Sequence, residues 1–338
     1  MKKIICCLAT LAVAFGALSA VTFVKANEAT TPAFKGVSVS LNENIVLKFK
    51  VENYTTGYTL TFNYKGKEYK GEVNDGVAEF AYVTPQYLDE VVTATIYDGE
   101  KKEVTHTAKS VREYLYELIR AKKADYSKMP CEQFAAMKPL AVDMLNYGAA
   151  AQAKYLEKDS YTLVNADLTT EEAALATTFV APDNTAQATL SGTKAGYEWV
   201  SAGIRFDYNV SLYFVIKPET AGAKLKLKVG DNEVIDKFIV ENGNYKFRFE
   251  NVNVVDFANK YTVKVLDEKN KEIGQTLSYS VNTYVLNMHA NAEMGEITKA
   301  VYNYGVSATK YNAAKSEHVY EKAAFTPPAQ LVYARGQE

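Results

Sequence analysis

Cysteine is nearly absent from this chain. There are three in 338 residues, Cys6, Cys7 and Cys131, and the first two fall inside an apolar opening stretch. One remaining thiol cannot close an intrachain disulfide, so the fold has to be held by its core. No histidine is identifiably paired with Cys131, and a packed thiol is its expected role rather than a nucleophile. Histidine is as scarce. His106, His289 and His318 have no second His, Cys or carboxylate at zinc-ligand spacing. His-Glu-x-x-His, Gly-x-Ser-x-Gly and a glycine-rich phosphate loop are all missing. No catalytic residue, metal or cofactor is assigned on this basis, and the chain is not read as an enzyme. An excess of one charge is missing too. With 38 basic and 40 acidic residues the net charge is −2, which leaves no electrostatic footprint for nucleic acid or an anionic membrane.

Long hydrophobic runs are lacking except at the start. Lys2 and Lys3 precede the apolar residues 4–24, and Val24 and Ala26 sit where a signal peptidase reads small side chains. Residues 1–26 are therefore expected to be a signal peptide cleaved after Ala26. An uncleaved anchor is the alternative, although Ala, Gly, Ser and Thr dilute the run. Cleavage would leave 312 residues, enough for two domains. It would remove Lys2, Lys3 and Lys25 and no acid, moving the net charge from −2 to −5. The expected mature protein is secreted and extracellular, soluble or held noncovalently at a cell surface, with no stable membrane insertion.

What is present is alternation. After a small-polar leader at 27–35, strand patterning begins at Val37 and Val39. Residues 45, 47, 49 and 51 point one way after a turn at Asn42-Glu43-Asn44, and Tyr58, Leu60, Phe62 and Tyr64 continue the pattern. Lys65-Gly66 and Asn74-Asp75-Gly76 read as hairpin turns, because such pairs supply positive φ. Ala78, Phe80 and Tyr82 line the next inner face, then Val92, Ala94 and Ile96. About seven short strands of this kind suggest an immunoglobulin-like β-sandwich.

At Ser110 the period changes from two to 3.6. Ser110 and Glu113 form a capping-box pattern, and Val111, Tyr114, Leu115, Leu118 and Ile119 make an apolar stripe. A polar connection leads to a second helix from about Cys131 to Glu157. Its stripe includes Phe134, Met137, Leu140, Ala141, Met144, Leu145, Gly148 and Tyr155, with Pro139 either kinking it or marking a second start.

The same order then returns. Val210, Leu212, Phe214 and Ile216 match Ile45, Leu47, Phe49 and Val51. Asn242-Gly243 matches Asp75-Gly76, Ser280 and Tyr284 match Ser110 and Tyr114, and Tyr304-Gly305 matches Tyr147-Gly148. Ordered landmarks with small offset drifts indicate a duplicated unit. The expected fold is mostly β with α, in two tandem units, each an immunoglobulin-like β-sandwich followed by a helical hairpin. The expected boundaries are 27–165 and 197–318, with a linker at 166–196 that carries one short helix and a tail at 319–338.

Ser110-Val111-Arg112-x-Tyr114, then Met144-Leu145-Asn146-Tyr147-Gly148-Ala149-Ala150-Ala151-Gln152, then Leu163-Val164-Asn165-Ala166 resembles a module recurrent in secreted and surface proteins of Clostridia and related Gram-positive gut bacteria. The resemblance covers 35–168 well and 197–315 more loosely, and the second copy departs from it at Val306 to Lys310. It implies location and class and assigns no chemistry.

Candidate sites follow from what the pattern leaves over. Tyr147-Gly148 and Tyr304-Gly305 form small-residue notches, for a ligand or for packing; the Ala-rich surroundings favour packing. Ser110, Tyr114, Ser280 and Tyr284 complete the structural motif. Asp267 to Glu272, with two interspersed lysines, reads as an exposed turn rather than a calcium loop. The acidic pairs Asp89-Glu90 and Glu171-Glu172 are adjacent in sequence, which is not the separation that glycoside hydrolysis needs. Among the aromatics, Tyr58, Tyr64, Tyr82, Tyr245 and Tyr279 are in phase with the core. Trp199, Tyr197, Tyr54 and Tyr69 are less clearly in phase and are the nominees for a ligand-binding surface. The expected function is a non-enzymatic extracellular binding or structural module with a protein or glycan partner. A carbohydrate-binding module is the alternative, and a hydrolase without a recognisable motif stands third.

Overall fold

The computed structural model describes residues 31–41, 45–127, 129–206, 210–231, 233–250 and 252–314. The expected signal peptide, the turn at 42–44, His318 and the tail lie outside them. By their contacts the described residues divide into two compact units. The first comprises 31–83 and 89–114; the second comprises Thr84–Leu88 and Leu115–Ala314.

In the first unit the strands are β1 (Ala33–Leu41), β2 (Ile45–Glu52), β3 (Tyr58–Tyr64), β4 (Lys67–Gly71), β5 (Val73–Asn74), β6 (Val77–Val83), β7 (Thr93–Asp98) and β8 (Lys101–Thr107). They form two antiparallel sheets, β1-β2-β6-β5 and β4-β3-β7-β8. The apolar faces meet: the Phe62 ring lies 5.3 Å from Phe49 and 5.2 Å from Phe80, and all three are buried. The tight turns are where the sequence places them, with positive φ at Lys65, Gly66, Asp75 and Gly76. Helix α1 (Val111–Arg120) follows. The expected capping box opens it: Ser110 N–H donates to Glu113 Oε2 at 2.8 Å and Glu113 N–H donates to Ser110 Oγ at 3.2 Å.

The second unit holds α2 (Cys131–Tyr155), α3 (Thr170–Ala173), β9 (Thr189–Ser191), β10 (Tyr197–Phe206), β11 (Val210–Pro218), β12 (Lys226–Val229), β13 (Glu233–Ile235), β14 (Phe238–Glu241), β15 (Asn244–Phe249), β16 (Tyr261–Leu266), β17 (Glu272–Tyr279), α4 (Val281–Met288) and α5 (Gly295–Ala313). Its sheets run β10-β11-β15-β14 and β13-β12-β16-β17-β9. With β10–β17 substituted for β1–β8 these are the strand orders of the first unit, plus β9 at one edge. The described residues thus form a mixed fold of antiparallel sheets with five helices.

Several expectations need correction. The strand expected from Val37 already begins at Ala33, inside the supposed leader, where Phe34 pairs with Val51. The stretch 166–196 is not a bare linker. It carries the expected short helix, α3, but also β9; Thr177 N–H donates to Asp143, and Asn303, Thr283 and Lys260 donate to the carbonyls of Thr177, Ala186 and Gln187. By contacts α2 is grouped with β10–β17. Helix α2 runs unbroken through Pro139. Residues 140–145 are buried in succession, so it is an interior helix rather than one with a single apolar stripe. Tyr155, placed in that stripe by its spacing, is exposed at the helix end.

Candidate functional site

The motif helix α2 shows its purpose at Gly148. A methyl group on that Cα would lie 2.5 Å from Leu88 Cδ1 and 3.0 Å from both Pro85 O and Val164 Cγ2. Leu88 is fully buried. The notch is therefore occupied from within its own unit by the turn that follows β6. Gly305 on α5 has the same relation to Phe257, whose ring a Cβ would strike. Leu88 and Phe257 each end a short 3₁₀ turn, at Pro85–Tyr87 and Val254–Asp256.

Gln152, one helical turn beyond Gly148, is fully buried. Its Nε2 donates to Gln86 O at 3.2 Å and its Oε1 accepts from Val164 N–H at 2.8 Å. Tyr116 OH donates to Val164 O at 3.1 Å, and Asn165 Nδ2 donates to Asn146 Oδ1 at 2.9 Å. The two motif strings, around α2 and at Leu163–Ala166, are thus halves of one hydrogen-bonded clasp. On α5 the position of Gln152 is taken by Thr309, whose hydroxyl donates to Gly305 O at 2.9 Å and reaches Val255 O at 3.4 Å.

Helices α2 and α5 pack on each other in opposite directions. Gln133 near the start of α2 donates to Tyr311 OH near the end of α5, at 3.1 Å. Lys154 at the end of α2 meets Glu293, just before α5, at 2.6 Å. Between them Tyr147 stacks on Tyr304. Burial pushes the Tyr304 phenol upward. Asp143, also buried, accepts from Thr177 N–H at 3.0 Å. Desolvation raises its carboxyl pKa, opposed in part by hydrogen bonds from Thr177 and Ser307 and by the Lys310 charge.

Of the other motif residues, Tyr114 is buried and Ser280 caps α4, accepting from Thr283 N–H at 3.1 Å. Tyr284 is half-buried, its ring 6.1 Å from Phe206, and burial raises its pKa.

The four aromatic nominees are divided between the two units. Tyr54 and Tyr69 belong to the first unit and Tyr197 and Trp199 to the second. Tyr54 OH donates to Tyr58 O at 2.9 Å, and Tyr69 packs against Phe80 and Tyr82. Tyr197, nominated as a surface residue, is only 2% exposed, and desolvation pushes its pKa up to about 12. Its hydroxyl and the Trp199 indole N–H, at 3.4 Å, both donate to Gln275 O. The physical reason is a β-bulge between Trp199 and Ser201. One extra residue reverses the alternation, so Tyr197 and Trp199 share the inward face with Ala202 and Ile204. A second bulge, where β6 passes β2, takes Tyr82 out of the inward phase assigned to it and leaves it half-buried.

The remaining candidates have structural places. His106 packs between Phe34 and Phe49, and His289 ends α4 against Phe179. Cys131 is exposed at the start of α2 rather than packed. Glu172 pairs with Arg120 at 2.8 Å, and that hydrogen bond holds its pKa low. The 267–272 loop is a turn in which Asp267 Oδ1 accepts from the N–H groups of Lys269 and Lys271, each at 2.9 Å. Among the described residues no three His, Cys, Asp or Glu side chains gather as a metal site, and no helix is long and apolar enough to cross a membrane.

Sequence reasoning did not single out Leu88, Phe257, Asp143 or Gln152. Gln152 carried a usable signal, a lone amide on an alanine-lined buried face; Leu88 and Phe257 carried none, because their partners are distant in sequence. No protein-family model matches the chain, and no curated protein matches its sequence.

Proposed function

We propose that the chain is a secreted, non-enzymatic bacterial module that binds or joins extracellular molecules. In this reading it consists of two copies of one unit, an immunoglobulin-like β-sandwich followed by a helical hairpin. The observation that carries the proposal is what the motif side chains do. Tyr147, Gly148, Gln152, Tyr304 and Gly305 are all engaged in packing or in clasping the chain to itself. A motif of that kind builds a scaffold, and recognition is left to its outer surfaces. The matching strand orders support the two-copy reading. The positive and apolar opening of the sequence supports secretion.

The carbohydrate-binding alternative loses support from the inward placement of Tyr197 and the tethering of Trp199 to Gln275. The test is a pull-down of the chain against insoluble and soluble glycans, peptidoglycan and mucin, paired with crosslinking on the producing cell. The expected outcome is no saturable glycan binding and a crosslink to a surface protein. Saturable sugar binding that Trp199→Ala abolishes while the fold is kept would put the carbohydrate reading first. Release of soluble sugar would refute the non-enzymatic one.

A further inference from the structure

An outer strand of a sheet is a template for another strand unless something blocks it. The described edges are blocked, with one exception. β1 and β10 are bulged. β5, β9 and β13 have two or three residues each. β4 carries Lys67 and Lys70, and β8 carries Lys101 and Lys102. β14 has none of these devices. It is the unbulged run Phe238-Ile239-Val240-Glu241, with Ile239 57% and Val240 60% exposed.

The hairpin fixes which backbone groups point outward. Asn242 and Gly243 have φ of 51° and 77°, the two-residue type I′ turn, which closes on a hydrogen-bonded pair, here Glu241 and Asn244. Bonding then alternates along the ladder. Ile239 and Glu241 direct their N–H and C=O toward β15, while Phe238 and Val240 direct theirs to the open edge. The Phe238 side chain stacks on Tyr245 at 4.2 Å, Val240 shares that face, and Ile239 lies on the opposite face beside Lys246.

We infer that β14 pairs antiparallel with β14 of a second copy of this chain, about a two-fold axis through Ile239. In that register Phe238 and Val240 of the two copies exchange the outward backbone bonds. Lys237 stands opposite Glu241 of the second copy at both ends, and Ile239 meets its equivalent. Slipping by one residue sets outward amides against inward ones and puts each side chain on the wrong face. Slipping by two sets Lys237 or Glu241 opposite Ile239. A foreign extended peptide could satisfy the same backbone groups, but the Lys-Phe-Ile-Val-Glu order selects itself.

Sedimentation of the purified chain over a range of concentrations tests this. The wild type is expected to shift toward twice the monomer mass as concentration rises. Lys237→Glu sets Glu against Glu and Glu241→Lys sets Lys against Lys, so each variant alone stays monomeric, while an equimolar mixture dimerises. Ile239→Lys also stays monomeric, with circular dichroism confirming that it is folded. A wild type monomeric at every concentration, a dimer that survives Ile239→Lys, or a mixture that fails to associate would each overturn the inference. So would capture of a foreign peptide by β14 in place of self-association.

Discussion

Tyr147 and Tyr304 hold the same place in the two Asn-Tyr-Gly segments, and they stack on one another, with centroids 6.1 Å apart and planes 19° from parallel. Both are buried where α2 and α5 cross. Truncating either ring leaves a cavity, and aromatic-to-alanine changes in a core cost about 3–5 kcal/mol. The rings also interact, so the double variant Tyr147→Ala/Tyr304→Ala should lose less than the sum of the singles. The expected coupling is about 0.5–1.5 kcal/mol. Denaturant unfolding of all four proteins measures it; strict additivity would mean that the stack contributes nothing beyond area.

Gly148 faces two opposing effects. Alanine is favoured over glycine within a helix by about 1 kcal/mol. The added methyl must displace Leu88 and press on Pro85 O, and overpacking of this sort costs about 1–3 kcal/mol. The contacts are close enough for the second to win, so Gly148→Ala should lower the melting temperature. Combining it with Leu88→Ala should relieve part of that loss. A Gly148→Ala protein more stable than wild type would show that the notch is roomier than these contacts imply.

Gln152 bridges two main-chain groups, Gln86 O and Val164 N–H, that lie far apart in the sequence. Gln152→Leu keeps much of the volume and strips the bonds to Val164 N–H and Gln86 O. Leaving a buried polar group unpaired costs about 1–3 kcal/mol. Hydrogen exchange should localise the damage: the Val164 amide loses protection while amides of β2 and β6 do not.

Asp143 gives a pH dependence whose sign can be worked out. Its folded pKa is raised above the ordinary 3.8, so the native state binds the proton more tightly than the unfolded chain. The charged form is disfavoured on folding at neutral pH, and that penalty is lifted as pH falls through the raised value toward 3.8. Carboxylates held low, such as Glu172, act in the opposite sense. The difference between wild type and Asp143→Asn isolates the effect: the variant's stability advantage should be largest at neutral pH and shrink on acidification. A difference that is flat with pH would mean that Asp143 titrates alike in both states.

These relations mark where the sequence was readable. Asp75-Gly76 and Asn242-Gly243 set their turns by local conformational preference, and Ser110 with Glu113 capped α1, because each cause lies within a few residues. The alternation likewise yielded the strands. The bond from Gln152 to Gln86 spans 66 positions, and Leu88, which fills the Gly148 notch, is similarly distant, so no local pattern named these partners. The stretch 166–196 looked like a linker because several of its attachments are to its main chain, at Thr177 and Ala186, where side-chain identity leaves no trace, and its side-chain partners Arg120 and His289 are distant in sequence.

The β10 bulge was the costliest omission, since it alone reversed the placing of Tyr197 and Trp199, and it can be tested directly. Deleting Val200 removes the extra residue between Trp199 and Ser201. Plain alternation then keeps Tyr197 and Trp199 on the face of Ala202 and Ile204, with Trp199 still opposite Ile216 and Ile204 opposite Leu212. Deleting Val200 and Ser201 together, with Ile204 held in register, turns both aromatics to the solvent face instead. Tyr197 would then lose its bond to Gln275 and the space beside Gly274 that now receives its ring. Trp199 is the only tryptophan in the chain, so its fluorescence reports the change without ambiguity. The single deletion should leave the emission unshifted, and the double deletion should shift it to the red and lower the melting temperature. A red shift in the single deletion would mean that the bulge is not what sets the face of the two aromatics.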